Sequence, residues 1–319
     1  MAGKLIGVGV MARDTAGVVA NIEEAERLGI PAAWLTSGGI GQDPMTIFAA
    51  AAQRTGAILM GTSIIQLWSR HPVAMAQQAR TLADLAPGRF RLGVGPGHQA
   101  GMEATFGVEF QQPLGHLQEY LRILKGLLQG GAVDFDGRYY QAHARAPGPV
   151  EMPVMASALR RASFELCGAE ADGAISWVCP GVYLRDVALP AMLAGAQKAG
   201  RPVPPLVAHA PVCVHDNRQE ALAAAREQLG FYPKAPFYAQ MFVDAGFPEA
   251  KQGNWSDAMI DSVVLSGDET QVAQRLRQLL DWGATEILAH VITAGDDREA
   301  SRQRTLRLLA QVAKEVARG

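Results

Sequence analysis

The chain has 319 residues, 49% of them hydrophobic and 19% charged, which is enough apolar material for a large core and excludes general disorder. Lysine and arginine number 29 against 31 aspartates and glutamates, so the net charge of −2 offers no basic field for a polyanion and excludes nucleic acid as an expected partner. Glycine is in excess, at 34 residues against the ~7% usual in proteins, and its placement needs an explanation.

At about 150 residues per domain the length fits two domains or one α/β barrel. Cys167, Cys179 and Cys213 stand far apart without a C-x-x-C pair, which fits a reducing compartment. The N-terminal segment MAGKLIGVGVMARD has too short an apolar run for a secretory signal, and no stretch approaches ~18 uninterrupted apolar residues. A cytoplasmic protein outside the membrane is expected.

Taken in chain order, β-rich runs at residues 5–10, 32–35, 58–65, 90–94, 154–156, 173–175, 206–214 and 286–291 alternate with stretches of helical period at 16–28, 45–53, 72–85, 113–129, 160–169, 183–198, 218–230 and 298–317. Alternation of this kind argues for a parallel sheet, and eight units for a closed (β/α)₈ (TIM) barrel. Pro72 suits a first helical turn, and Gly29, Gly200 and Gly283 stand where left-handed caps are expected. Two segments break the rhythm: 130–153, with the hairpin-like VDFDGRYYQ, and 231–265, followed by an extra helix at 268–282. Residues 1–319 thus read as one barrel domain with two insertions, the second, after the seventh strand, being a candidate lid over the active-site face.

Gly7-Val8-Gly9-Val10-Met11-Ala12 matches G-x-G-x-x-A, the dinucleotide fingerprint, but its glycines fall inside the first strand rather than in a strand-to-helix turn, so a Rossmann reading is rejected. The fourth strand ends Arg91-Leu92-Gly93-Val94-Gly95-Pro96-Gly97-His98, where glycine lets a planar ligand or a backbone approach closely. The seven histidines form no H-E-x-x-H or comparable spacing, and no metal is expected. His71 and His98 follow predicted strand ends, whereas His209 and His290 fall inside strands seven and eight and are expected to be packed. Trp34, Trp68 and Trp177 stand at the ends of strands two, three and six, where they are expected to ring one mouth and line an apolar pocket for a flat molecule. There is no G-x-S-x-G elbow to support nucleophilic catalysis.

Three blocks carry a family resemblance: GTSIIQLWSRHPVAMAQQARTLADLAPGRFRLGVGPGH at 61–98, MASALRRASFELCGAEADGAISW at 155–177 and VVLSGDETQVAQRLRQLLDWGATEI at 263–287. The chain resembles the bacterial luciferase-like monooxygenases and oxidoreductases, and within them the branch that uses the deazaflavin coenzyme F420. The resemblance implies a TIM-type barrel with an insertion after the seventh strand. It implies a cis peptide at Ser63-Ile64, with the flat ring over it and against Gly95, Pro96, Gly97 and His98, and with Gln66 along the ring edge. Phosphate would lie at the start of the helix after the fifth strand, on Ser157, Ala158, Leu159, Arg160 and Arg161. Trp177 would also face the cofactor, and Trp34, Trp68 and His71 the substrate.

Two departures from the family pattern bear on activity. Related sequences often carry Gly-Pro at Arg160-Arg161, so the arginines are read as added phosphate contacts. The second strand ends Thr36-Ser37-Gly38 where the family's sugar-phosphate and alcohol dehydrogenases have Asp-His, so a general base is missing there and hydride transfer to a small organic substrate, the reductase direction, is favoured. His98 is the candidate proton donor and Ser37 a substrate-orienting hydroxyl. An FMN-dependent monooxygenase and a non-catalytic flavin-binding barrel are the alternatives. A homodimer is expected from the habit of the family.

Overall fold

A computed structural model describes residues 3–318; Met1, Ala2 and Gly319, including the first two residues of the N-terminal segment read above, lie outside it. Eight parallel strands, β1 (Leu5–Gly9), β2 (Ala32–Leu35), β3 (Leu59–Thr62), β4 (Phe90–Gly95), β5 (Val154–Ala158), β6 (Ala174–Ser176), β7 (Leu206–Val214) and β8 (Glu286–Val291), pair each with the next in chain order. Pairing of β8 back onto β1, Leu5 opposite Glu286 and Gly7 opposite Leu288, closes a TIM barrel. The helices that return the chain are marked by local chemistry. Asp14 caps Thr15–Leu28 by accepting the Gly17 N–H at 2.7 Å, and Gly29 ends it at φ 85°, a conformation that costs glycine nothing.

Alternation along the strands sorts side chains into two cores. Ile6, Val8, Ala33, Met60, Leu92 and Val94 face outward and are covered by the helices. Ala32, Trp34, Met155, Ile175, Val207 and Leu288 fill the barrel. Trp34 is 1% exposed and so does not belong to a mouth, correcting its assignment to the substrate pocket. Its indole lies across the barrel toward the N-terminal ends of the strands: Nε1 donates to Glu286 Oε1 at 2.7 Å, and the Arg91 guanidinium, ion-paired to Glu286, sits 4.3 Å above the ring. Gly61 makes the room, since a Cβ there would stand 2.4 Å from the indole. Part of the glycine excess is therefore space for one tryptophan.

The expected strand 58–65 is interrupted. β3 ends at Thr62, the Ser63–Ile64 peptide is cis, and Ile65–Gln66 pairs anew with β4 at Val94 and Gly95. At this crossing the Thr62 carbonyl presses on β4 so closely that a Cβ on Gly93 would be 2.0 Å from its oxygen, while Thr62 Oγ1 exchanges hydrogen bonds of 2.8 Å with both the carbonyl and the N–H of Gly93.

Within 130–153 the chain forms an antiparallel pair, Ala132–Asp136 with Gln141–Arg145. The 231–265 segment holds helices Pro236–Asp244 and Asp257–Val263 and ends at a short strand, Leu265–Gly267, that adds to the end of β7. A helix at Gln99–Phe106, directly after the β4 tip, was not expected. Among the described residues no helix is long and apolar enough to cross a membrane.

Candidate active site

The C-terminal ends of the strands gather most of the predicted residues. Where β2 and the broken β3 end, Ser37 and Gln66 hold each other: Ser37 Oγ donates to Gln66 Oε1 and Gln66 Nε2 donates to the Ser37 carbonyl, each at 2.6 Å. The Ser37 N–H also donates to the Ile64 carbonyl at 3.2 Å. Gln66 is thus committed to fixing the Ser63–Ile64 bulge, and the Ser37 hydroxyl, its proton engaged, presents only lone pairs to the mouth. Ser63 is buried beneath, 3.4 Å from Thr36 Oγ1.

On β4 the glycines make room for their neighbours, the Thr62 carbonyl at Gly93 and the Ser157 side chain at Gly95. A Cβ on Gly95 would be 2.1 Å from Ser157 Oγ, so glycine is what lets the tips of β4 and β5 converge. Gly97, at φ 70°, turns the chain into His98, which starts helix Gln99–Phe106. The His98 ring keeps an exposed edge but lies 5.0 Å from Phe231 and 5.7 Å from Tyr238, both of the 231–265 insertion, and its burial there holds the imidazole below its usual pKa of 6.5.

Trp68 and His71 stand apart from this centre. Trp68 Nε1 donates to the Pro96 carbonyl at 2.8 Å while the ring packs on Phe110 and His116, so the indole braces the β4 loop instead of facing a ligand. His71 is exposed and caps helix Pro72–Leu85 with Nδ1 accepting the Val73 N–H at 3.3 Å. The expectation that three tryptophans ring one mouth is corrected: Trp177 alone of the three lies there, because a position at a strand end does not say which way the side chain points.

Trp177 is anchored by a hydrogen bond from Nε1 to Tyr232 Oη at 2.6 Å and stacks on His209 with centroids 3.7 Å apart. His209 and His290 point into the barrel from β7 and β8, their rings 5.7 Å apart. After β5, Ser163 Oγ accepts the N–H groups of Leu159 and Arg160 at 3.0 and 3.1 Å, which removes two of the amides expected to hold phosphate. Ser157, half-buried, and Ala158, buried, end β5. Arg160 and Arg161 are exposed, and Arg160 reaches Asp244 of the insertion at 3.6 Å. Nearby, the Tyr183 hydroxyl is buried beside the Arg161 N–H. The insertion therefore touches the site at three places, His98, Trp177 and Arg160. A cleft lined by His215, Asp216, Asp261 and Arg275 lies elsewhere, and its charges are spent: Asp216 on Arg304, Asp261 on Arg218, and Arg275 on the carbonyls of Asp261 and Val264.

The sequence profile of the luciferase-like monooxygenases matches residues 6–286, which spans β1 to the start of β8. The chain belongs to the luciferase-like monooxygenase family. Among curated relatives it is similar to the 5,10-methylenetetrahydromethanopterin reductase of Methanolobus tindarius, with 27% identity over 83% of this chain and 87% of that one. It is also similar to the F420-dependent glucose-6-phosphate dehydrogenase of Nakamurella multipartita, with 28% identity over 81% and 78%. Among solved structures it shares its fold with the coenzyme F420-dependent tetrahydromethanopterin reductase of Methanopyrus kandleri, at a TM-score of 0.79 and 22% identity over 98% of this chain and 99% of that one.

Within this luciferase-like barrel, sequence reasoning missed the His209–His290 pair. β7 is buried along its whole length, so it shows no alternation that would tell which of its residues face inward.

Proposed function

We propose that this luciferase-like oxidoreductase binds the deazaflavin F420 across its mouth and reduces a small organic substrate. The observation that carries the reading is the combination, on one face, of a cluster of aromatic and apolar side chains and a cationic helix start. Trp177, Ile64, His98 and the insertion's Phe231 and Tyr238 form the former; Arg160 and Arg161 at the head of helix Arg161–Glu170 form the latter. The relatives named as F420-dependent or as reductases support it.

The residues present fit a flat, phosphate-bearing group. The Ala162 N–H at the helix start and the exposed Arg161 guanidinium offer an anion donors, and Arg160 stands beside them with its guanidinium shared with Asp244. When bound, F420 supplies hydride chemistry. The Ser37–Gln66 pair and the Thr62–Gly93 bonds hold the floor of the mouth rigid. The insertion, bonded through Tyr232 and Asp244, excludes water. His98 is neutral at pH 7, so it serves as a hydrogen-bonding group whose protonated form, rising as pH falls, delivers the proton. Thr36 and Ser37 at the β2 end supply no base, which favours reduction over alcohol oxidation.

Titration with F420 and with FMN, followed by cofactor fluorescence together with an oxygen electrode, tests the reading. Saturable F420 binding without oxygen uptake by the reduced complex is expected. Tight FMN binding with oxygen uptake overturns it in favour of a monooxygenase.

A further inference from the structure

His209 is held in a way that leaves one of its nitrogens conspicuously unused. The ring is buried, at 2% exposure, and its face is covered by Trp177, 3.7 Å away and only 19° from parallel. Nδ1 accepts the N–H of Val178 at 3.2 Å. Because that lone pair is engaged, the ring proton resides on Nε2. Nε2 is buried and has no hydrogen-bond partner.

Two costs meet at this place. An unpaired buried donor forfeits the hydrogen bond it would make to water. Val178, which aims its N–H at Nδ1, sits at φ 49°, a left-handed conformation that is rare and strained for a β-branched residue. The chain therefore spends a strained valine on fixing the tautomer whose N–H then finds no partner among the described residues. Burial keeps the ring neutral, so this N–H is an uncharged donor.

We propose that His209 Nε2–H, on the β6–β8 wall of the barrel, is a donor subsite for a carbonyl oxygen of the substrate. An uncharged donor suits an uncharged acceptor such as a ketone, an enone or an amide. The assignment names the substrate class for the reductase reading above and rests on it. When a hydride adds to the carbon of C=O, or to the far carbon of a conjugated C=C–C=O, the displaced π pair accumulates on oxygen, where a fixed N–H stabilises it. The reduced deazaflavin is the two-electron donor, and the proton that completes the product comes from His98, the donor of the reductase reading on which this assignment rests. His209 itself neither gains nor loses a proton.

The test is a long-range ¹H–¹⁵N spectrum of protein labelled at histidine, titrated with cyclohexanone and, separately, with methylenecyclohexane, which has the same shape without the oxygen. His209 is recognised by the ring current of Trp177. The expected results are an Nε2–H tautomer, a downfield shift of that proton with the ketone, and none with the hydrocarbon. His209→Gln, which keeps an N–H near Nε2, retains cyclohexanone binding within about threefold, and His209→Phe weakens it about three- to tenfold, the worth of one hydrogen bond. An Nδ1–H tautomer, equal shifts with both compounds, or no response at saturating ketone overturns the proposal, and each is read on the wild-type chain should the variants fail to fold. F420 binding is followed by fluorescence in the same samples. Loss of cofactor binding with an intact ketone response counts against the reductase reading alone, and the converse against the subsite alone.

Discussion

Trp177 and His209 stack face to face, 3.7 Å apart, and each is fixed by a different neighbour, the indole by Tyr232 of the insertion and the imidazole by the Val178 N–H. The stack joins the β6 wall, the β7 wall and the 231–265 insertion in one unit, and it confers a pH signature. Burial first, and His290 second, hold His209 well below its usual 6.5, and burial also lowers His290. In the unfolded chain both titrate near 6.5, so below that pH the unfolded state takes up protons that the folded state refuses. Stability is full above pH ~6.5 and falls on acidification by up to about 1.4 kcal/mol per pH unit per group. Glu26, lowered despite burial by the N–H groups of Ala57, Ile58 and Gly56, contributes its loss only below its usual 4.5. Melting temperatures between about pH 7 and pH 5 are expected to fall, less steeply in His209→Gln. A Tm flat over that range contradicts the buried neutral rings.

Arg160 pairs with Asp244 of the insertion, and under the proposed function it also meets the cofactor's phosphate. If it contacts the cofactor's phosphate, Arg160→Ala weakens F420 binding roughly tenfold, a charge-assisted hydrogen bond discounted for exposure. Asp244→Asn, which removes the 3.6 Å competitor, leaves affinity unchanged or improves it. Isothermal titration separates the cases: equal weakening in both variants makes the pair a lid latch with no phosphate role.

Under the proposed function His98 delivers the proton. His98→Ala is expected to lower turnover about 10²-fold while the Kd for F420 moves by less than about threefold. In the native enzyme turnover rises as pH falls toward the lowered pKa of His98, and that rise is lost in His98→Gln. Unchanged turnover removes His98 from the mechanism.

The barrel was legible in the chain because short β-rich runs and amphipathic segments alternate eight times, and the observed strands fall inside or within two residues of those runs. Two kinds of information were not. The apolar run through residues 58–65 hides the break at Ser63–Ile64, since hydrophobicity reports burial and is blind to a change of direction. The side of the barrel on which Trp34 works depends on Gly61, next to it in register, and on Glu286, 252 residues away, and neither is visible locally. The β4 glycines drew notice as ligand space, and of the two alternatives the sequence left open, backbone approach is the one realised at Gly93.

Glu286 closes the barrel floor, hydrogen-bonded to Trp34 and ion-paired to Arg91. Glu286→Gln leaves the Arg91 charge buried without its partner and is expected to cost about 3–5 kcal/mol, measured by urea unfolding. F420 affinity of the folded fraction stays unchanged. A stable Glu286→Gln protein with altered affinity would place this residue in the site.

The central claim is hydride transfer from a deazaflavin, and anaerobic stopped-flow absorbance reads it directly. Reduced F420 mixed with the protein and a panel of ketones and enones is predicted to be oxidised in a protein-dependent phase that consumes one acceptor per cofactor. Reduced F420 that persists with every acceptor, while reduced FMN and oxygen are consumed by the same protein, contradicts the account.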